Sequence, residues 1–260
     1  MNNYNFGLKL WSINDNYINE AIKLYQEGYY QYIELYAVPY SYDKYSHLWL
    51  NLKFKHNISF LIHAPHYAGG LKLSQRESLS NNLLLADETK RFADKLQSDT
   101  IIFHPGIGGK TEETVFQLNK IKDQRIIIEN KPYYAFKKTM ICNGHSPEEI
   151  KYIMKNAQVG FCLDIVHAIC AANALKKSSM EYLKEFITLE PRMIHLSDSN
   201  RDSIEDTHLN LGKGSLDLST IIKMLSLQKK ITIESDKNFN NDLDSFKKDI
   251  QYLQNIVRTI

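Results

Sequence analysis

Residues 159–168 read VGFCLDIVHA, an apolar run that ends in Asp164 and is followed three positions later by His167. Short apolar runs of this composition are typical of strands buried in a parallel sheet. Other apolar runs of the chain end in the same way, at His63, His104, Glu129, His195 and Glu234. All strands of a (β/α)8 barrel direct their carboxyl ends to one face, so such a barrel would bring these side chains together. The repetition therefore predicts a barrel with a polar cluster at its mouth.

The rest of the chain alternates short apolar runs with longer amphipathic segments. Strands are predicted near residues 6–11, 30–36, 58–62, 99–103, 125–129, 159–163, 191–196 and 230–235. Helices are predicted near residues 16–27, 43–55, 73–96, 111–122, 146–156, 167–187, 215–226 and 240–258. Eight strand–helix units without a Pro/Gly-rich linker predict an α/β fold, a (β/α)8 TIM barrel that forms a single domain over residues 1–260.

Composition and charge indicate a cellular compartment, but they exclude few functions. The chain has 260 residues, a formal net charge of +2 and three cysteines without a pairing pattern. We expect a reducing, cytoplasmic location, since disulfide frameworks belong to oxidising compartments. Residues 1–30 lack the basic start and long apolar run of a signal peptide, and no segment is apolar enough to span a bilayer. We therefore expect no membrane association and no obligate protein partner.

Nine side chains at or just after the predicted strand ends are of metal-binding type. They are His63, His104, Glu129, Asp164, His167, His195, Asp206, His208 and Glu234. Imidazole and carboxylate groups together favour zinc, with iron or manganese as alternatives, whereas carboxylates alone would favour magnesium or calcium. Glu129 is central in this order, and a carboxylate can bridge two metal ions. Two or three closely spaced ions would activate water and neutralise a phosphate.

Taken singly, these residues have simpler explanations. A lone histidine at a strand end is more often a hydrogen-bonded structural residue than a ligand. Asp206 alone could cap a helix or stabilise a turn, and Glu234 could be half of an ion pair. Nine such residues at corresponding ends of successive units are not explained in this way, so we expect at least one metal ion. His66, three residues after His63, is either a substrate-facing group or a neighbour of a ligand.

The motifs around these residues resemble those of endonuclease IV, the metal-dependent apurinic/apyrimidinic endonuclease family of the xylose isomerase-like barrel superfamily. The matching segments are HAPH (63–66), FHPG (103–106), IEN (128–130), CLDIVHA (162–168), IHLSDS (194–199), DTHLNLGKG (206–214) and IES (233–235). They extend from the third predicted strand to the eighth. The resemblance implies the same barrel fold and a phosphodiester-cleaving activity.

The resemblance also implies a centre of up to three zinc ions. The residues that it assigns to the first ion (the first group) are His63, His104 and Glu129. Those assigned to the second ion (the second group) are Glu129, Asp164, His195 and Glu234. Those assigned to the third ion (the third group) are His167, Asp206 and His208. Glu129 would bridge the first two ions, and Glu129 and Glu234 are the predicted catalytic residues.

The first 57 residues depart from the endonuclease IV pattern. The first two strands, FGLKLWS and YIELYAVP, lack the family's His-Val-Ser phrase and its DNA-contacting residues. Glu34, in the second strand, is more similar to the sugar isomerases and epimerases of the same superfamily. The side chains predicted to contact substrate are Glu34, His66, Lys131, Arg201 and Lys213, with Lys72, Lys137 and Lys138 as further cations near the mouth.

Two functions follow from these observations. The first is a metal-dependent phosphoesterase with a trinuclear centre, whose expected substrate is DNA with an abasic site, cut 5′ to that site. The alternative is an isomerase or epimerase of a small sugar or sugar phosphate that uses one metal ion, with Glu129, Asp164, His195 and Glu234 as ligands. His63, His104, Asp206 and His208 favour the hydrolase, because an enzyme with one metal ion has less use for them. Glu34 and the divergent first 57 residues favour the isomerase.

Overall fold

A closed parallel barrel forms the centre of the molecule. The computed structural model describes residues 5–135, 139–225, 229–237 and 242–259. The strands are β1 (Asn5–Trp11), β2 (Tyr32–Tyr36), β3 (Ser59–His63), β4 (Ile101–Phe103), β5 (Ile126–Glu129), β6 (Gly160–Asp164), β7 (Met193–Leu196) and β8 (Lys230–Ile233). They are arranged in sequence order, and β8 pairs with β1 to close the barrel. The predicted (β/α)8 fold is confirmed.

Helices alternate with the strands. They are α1 (Ile18–Gln26), α2 (Tyr42–His56), α3 (Leu79–Lys95), α4 (Thr111–Ile121), α5 (Pro147–Ala157), α6 (Ile165–Ala174), α7 (Ser179–Ile187), α8 (Leu218–Met224) and α9 (Asp244–Thr259). Their buried faces form one large apolar core with the outward-facing side chains of the strands. No helix in the described part of the chain is both long enough and apolar enough to cross a membrane.

The single helix predicted over residues 167–187 is wrong, because this segment forms the two helices α6 and α7. The chain leaves the helical path at Lys176, which has a left-handed backbone with φ of 57°. Asn173, near the end of α6, donates side-chain hydrogen bonds to the carbonyl oxygens of Arg201 and Ser203. The end of α6 is therefore attached to the loop that follows β7.

An apolar plug inside the barrel supports a polar layer above it. The plug consists of Tyr32, Leu61, Ile102, Ile127, Cys162 and Met193, one from each strand between β2 and β7. Side chains two residues apart on a strand point to the same side, so the residues two positions further along lie directly above the plug. Those residues are Glu34, His63, His104, Glu129, Asp164 and His195. Strand alternation thus places most of the candidate site at the mouth.

Gly7 of β1 makes room for the largest side chain of the plug. Gly7 pairs in register with Tyr32, and a β-carbon at Gly7 would lie 2.3 Å from Tyr32 Cε2. The Tyr32 hydroxyl lies 2.9 Å from Thr232 Oγ1, within hydrogen-bond distance. The ring therefore crosses the barrel from β2 to β8 beneath the polar layer, in space that only a glycine on β1 leaves open.

Replacing Gly7 with alanine is expected to lower the free energy of unfolding by about 1–3 kcal/mol, the usual cost of overpacking a core. Urea unfolding followed by circular dichroism measures this change. In the double variant Gly7→Ala/Tyr32→Leu the shorter side chain removes the clash. The double variant should therefore lose less stability than the two single variants together, and simple additivity would contradict the steric explanation.

Candidate metal centre

The mouth of the barrel brings together all nine candidate ligands. Glu129, the last residue of β5, lies at the centre of the cluster and is 1% exposed. The other buried members are His63, His104, Asp164, His167, His195 and Glu234. Asp206 and His208 come from the loop after β7 and are half-buried. The predicted convergence of these side chains is therefore present in the structure.

In the first group two imidazole nitrogens face one carboxylate oxygen. His63 Nε2 and His104 Nε2 each lie 3.1 Å from Glu129 Oε2. The other ring nitrogen of His63, Nδ1, lies 2.6 Å from the carbonyl oxygen of Ala64. A carbonyl only accepts, so Nδ1 donates and a neutral ring turns its Nε2 lone pair toward Glu129. These facing lone pairs repel each other unless a proton or a metal ion lies between them.

His195 holds the second group together. Its Nδ1 lies 2.8 Å from Glu234 Oε1 and 3.2 Å from Glu129 Oε2. Asp164 forms a set with His195 and Glu234 in which the potential ligand atoms lie within 4.8 Å of one another. On the other side of the ring, Nε2 lies 2.9 Å from Glu34 Oε2. A ligating histidine commonly donates its second N–H to a carboxylate, so Glu34 is placed to orient His195.

Glu34, which was predicted to contact substrate, is fully buried. Besides His195, it accepts a hydrogen bond from Thr232 Oγ1 at 2.7 Å. Burial alone would raise the pKa of Glu34, but His195 and Lys9 outweigh it and lower the pKa to about 2. Glu34 is thus a buried, charged group that accepts a hydrogen bond from His195 and orients its ring.

Asp206 connects the members of the third group. Its Oδ2 lies 3.0 Å from His167 Nε2 and 2.8 Å from His208 Nε2. His167 Nδ1 donates to the carbonyl oxygen of Asn130 at 2.9 Å, which leaves Nε2 to face Asp206. Asp164 caps α6 by accepting a hydrogen bond from the backbone N–H of His167 at 2.7 Å. This cap fixes the second and third groups relative to each other.

A buried aspartate, Asp198, folds the loop of residues 206–214 over the barrel. Its carboxylate accepts hydrogen bonds from the backbone N–H groups of Gly212 and Gly214, at 2.9 and 3.0 Å. Two backbone hydrogen bonds also pair Asp198 with Leu209. The sequence analysis did not single out Asp198. Its signal is the pair of glycines in the same loop, which let the backbone approach a carboxylate closely.

Burial and neighbouring charges shift the pKa values of the cluster strongly. Burial disfavours the charged form of His167, but Asp164 and Asp206 outweigh it and raise the pKa of the imidazole to about 10. Burial raises the pKa of Asp164 to about 6. Burial also opposes the charge of Glu129, yet His104 and other neighbours hold its pKa well below the usual range. The carboxylates of the cluster therefore attract positive charge, in the form of a proton or a metal ion.

The donor set fits divalent metal ions. Two buried ligand atoms, Glu129 Oε1 and His195 Nδ1, accept no hydrogen bond from the described residues. The first two groups each supply three or more nitrogen and oxygen atoms, and zinc prefers four such donors. A cation between these atoms would satisfy the buried acceptors and remove the repulsion between facing lone pairs.

Two lysines add positive charge beside the ligands. Lys9 of β1, which the sequence analysis missed, donates a hydrogen bond to Glu234 and lies 3.2 Å from Glu34 Oε1. Lys131, a predicted substrate contact, lies 3.7 Å from Glu129 Oε1. Lys9 lies two residues after Gly7, on the inward face of β1, and no sequence pattern indicated this orientation.

A cavity of about 560 Å³ opens above the cluster. Of the predicted substrate contacts, His66 and Lys131 line it. Arg201 and Lys213 are exposed on the loop after β7 and lie outside this lining, as does Lys72 on the loop after β3. Lys137 and Lys138 lie outside the described residues. The cavity also has lining residues that the sequence analysis missed, namely Trp11, Tyr36 and Lys237.

Replacing Lys9 with methionine is expected to tighten zinc binding by about tenfold or more, because the ammonium group repels a divalent cation in the second group. Methionine keeps much of the apolar length of the side chain and removes the charge. Zinc titration in the presence of a competing chelator, with elemental analysis of the dialysed protein, measures the affinity.

Two control variants isolate the effect of the Lys9 charge. Lys9→Arg retains the charge and should bind zinc as the unaltered protein does. Lys237→Met removes a different cation of the cavity. The Nζ of Lys237 lies 3.5 Å from the carbonyl oxygen of Ser235, which is not a candidate ligand. The zinc affinity of this variant should change little. Equal affinities for Lys9→Met and the unaltered protein would contradict the competition between Lys9 and the metal.

Comparisons with known proteins agree with this fold. The family model described as xylose isomerase-like TIM barrel matches residues 24–256. Comparison with curated proteins gives no match. Among solved structures, a D-tagatose 3-epimerase-like protein is similar with a TM-score of 0.76 and 18% identity, covering 98% of this chain and 97% of that one.

Two further similar structures come from Thermus thermophilus. Endonuclease IV from this organism has a TM-score of 0.72 and 16% identity, covering 98% of this chain and all of that one. The TTHB071 protein, soaked with ZnCl2, has a TM-score of 0.70 and 18% identity, covering 98% and 99% of the two chains. At these identities the likeness establishes the fold alone. By the match of its family model over most of its length, the chain belongs to the xylose isomerase-like TIM barrel family.

Proposed function

We propose that this protein is a metal-dependent phosphoesterase that holds up to three zinc ions and hydrolyses a phosphodiester. The observation that supports this function is the third group, since His167, Asp206 and His208 meet beside the other ligands. His167 Nδ1 lies only 3.0 Å from Glu129 Oε1, so the third group is continuous with the central carboxylate. An enzyme with one metal ion has no evident use for this additional set of donors.

Glu129 has the position that a bridging ligand needs. Its Oε2 faces His63, His104 and His195, which belong to the first two groups, and its Oε1 faces His167 and Lys131. Divalent metal ions bound at this site would supply Lewis acidity, which activates water and neutralises phosphate oxygens. Glu129 would thus be a ligand shared by the metal ions that these groups hold.

Charged groups at the cavity wall can bind and orient the substrate. Lys131 and Lys237 present ammonium groups that attract a phosphate. Lys9 holds Glu234 in place by a hydrogen bond, and Glu234 lines the same cavity. Glu234 is therefore positioned to accept or return a proton at the reacting oxygen.

The expected substrate is a phosphodiester 5′ to an abasic site in DNA. The cavity, at about 560 Å³, has the volume of a site for one small ligand and does not admit a duplex. A single nucleotide would have to turn out of the helix to reach the ligands. This rotation costs least where the base is already missing, which favours an abasic nucleotide.

Replacing Glu129 with glutamine is expected to reduce phosphodiester hydrolysis by at least about 100-fold, because the amide weakens the link between two metal ions. Nicking of a duplex that contains one abasic site measures the activity, and circular dichroism verifies the fold. Zinc content should fall by one ion or more. Full activity with unchanged zinc content would exclude a bridging role for Glu129.

A mononuclear isomerase or epimerase of a sugar is the second candidate. The observation that favours it is the set of Lys9, Glu34 and Glu234 around His195, which gives the second group its own network of ion pairs. In this function Glu129 and Glu234 would transfer protons beside a carbonyl group polarised by one metal ion.

Replacing His208 with alanine distinguishes the two functions. A phosphoesterase that uses the third group should lose about 100-fold or more of its activity, whereas a mononuclear epimerase should keep most of its activity on a ketose. His47→Ala, which alters an exposed histidine of α2, is the control and should leave both activities unchanged. Elemental analysis of protein purified without chelator supports the hydrolase at close to three ions per chain and the epimerase at close to one.

A further inference from the structure

Three aromatic rings form a row along the ends of the first three strands. Trp11 pairs in register with Tyr36, and Tyr36 pairs with His63. The ring centroids are 5.4 Å apart between Trp11 and Tyr36 and 5.6 Å apart between Tyr36 and His63. His63 is a candidate ligand of the first group, so the row leads directly from the cavity wall to the metal centre.

The outer end of this row is open. Trp11 is 49% exposed and lines the cavity, whereas Tyr36 and His63 are buried. The second tryptophan of the chain, Trp49, is fully buried and donates its indole N–H to the carbonyl oxygen of Ser12. A large aromatic ring left half-exposed at a cavity mouth offers a flat surface to a ligand, because covering it removes apolar area from water.

Tyr36 adds a polar group to this surface. Its hydroxyl oxygen accepts a hydrogen bond from the backbone N–H of His66 at 3.1 Å. The hydroxyl hydrogen remains able to donate, and Tyr36 lines the same cavity. The His66 ring lies 5.4 Å from the Tyr36 ring and continues the aromatic wall.

Cationic groups lie in the same cavity as the aromatic row. Lys237 forms no ion pair with any described residue, and its contact with the Ser235 carbonyl is long at 3.5 Å. Its charge is available to an anionic ligand. The cavity therefore combines an aromatic wall, an available ammonium group and metal-binding groups, which are the recognition elements of a nucleotide.

We propose that Trp11, supported by the buried ring of Tyr36, forms a stacking subsite for a nucleobase next to the phosphate that would be held at the metal centre. This inference rests on the proposed phosphoesterase function and specifies its substrate as a nucleotide unit that retains a base beside the scissile bond. In an abasic strand, this base belongs to a nucleotide adjacent to the lesion. Stacking is sequence-tolerant, since every base has a flat face.

Intrinsic fluorescence tests the subsite directly, because Trp11 is accessible to ligand and Trp49 is not. The zinc-loaded protein is titrated with a nucleoside 5′-monophosphate, ribose 5-phosphate and inorganic phosphate. The nucleotide should quench the emission, and Trp11→Ala should bind it about tenfold more weakly, in the range of base–aromatic stacking. Calorimetry measures the affinities of the variants for all three ligands, because replacing Trp11 removes the accessible fluorophore. The affinity of Trp11→Ala for ribose 5-phosphate and phosphate should be unchanged. Trp11→Phe should restore most of the nucleotide affinity.

A matched control is Tyr40→Ala, which removes an aromatic ring that is 81% exposed and lies outside the cavity lining. Its nucleotide affinity should equal that of the unaltered protein. Unchanged nucleotide affinity in Trp11→Ala would overturn the subsite. An equal loss for ribose 5-phosphate would also overturn it, because the row would then bind the sugar.

The failure of this inference is distinguishable from failure of the proposed function. Hydrolysis of a glycerophosphodiester, which carries no base, is measured on the unaltered protein and on Trp11→Ala. Equal hydrolysis by both, together with weaker nucleotide binding by the variant, supports the subsite. If the unaltered protein hydrolyses no phosphodiester, the proposed function fails while the titration still decides the subsite.

Discussion

The organisation of the site depends on the burial of one carboxylate, Glu129, at the mouth of a parallel barrel. Removing such a charge from water is costly unless cations or donors surround it. Here imidazole nitrogens from β3, the loop after β4, β7 and α6 surround the two oxygens at 3.0 to 3.2 Å. Histidines of separate elements thus have one shared partner at the mouth of the barrel.

The alternation of side chains along the strands, which repeats every two residues, brings these polar groups into one layer of the barrel. Each apolar residue of the plug is followed two positions later by a polar residue, as Cys162 is by Asp164 and Met193 by His195. The plug keeps water out from below, and it lowers the effective dielectric around the charges. Interactions between Lys9, Glu34 and His195 are stronger there than they would be on the surface. Glycine is needed at Gly7 because the ring of Tyr32 occupies that space.

Most candidate ligands could be predicted from sequence because each ends an apolar run or closely follows one, a pattern that requires no knowledge of long-range contacts. Asp206 and His208, in the polar loop after β7, were proposed from the DTH motif and its resemblance to a known family. Lys9 could not be predicted in this way, since a lysine in a first strand is compatible with an exposed position. Only the register of β1 against β2, which sets Lys9 beside Glu34, reveals that it points inward. The break between α6 and α7 was missed for a related reason. Residues 169–176 contain several alanines and no glycine or proline, and the hydrogen bonds from Asn173 to the distant loop after β7 are not visible in the sequence.

The charge balance of the site bears on which chemistry it performs. Five carboxylates and two ammonium groups leave three negative charges when the imidazoles are neutral, as ligation requires. One divalent ion would leave the site negative, and an anionic phosphate would then be repelled. A single ion is therefore suited to an uncharged sugar. Two or three ions would make the site positive and attract a phosphodiester through long-range electrostatics. The number of bound ions thus decides the sign of the electrostatic potential in the cavity. The third group adds donors for a further ion, and it therefore favours a positive potential, which suits a phosphate substrate.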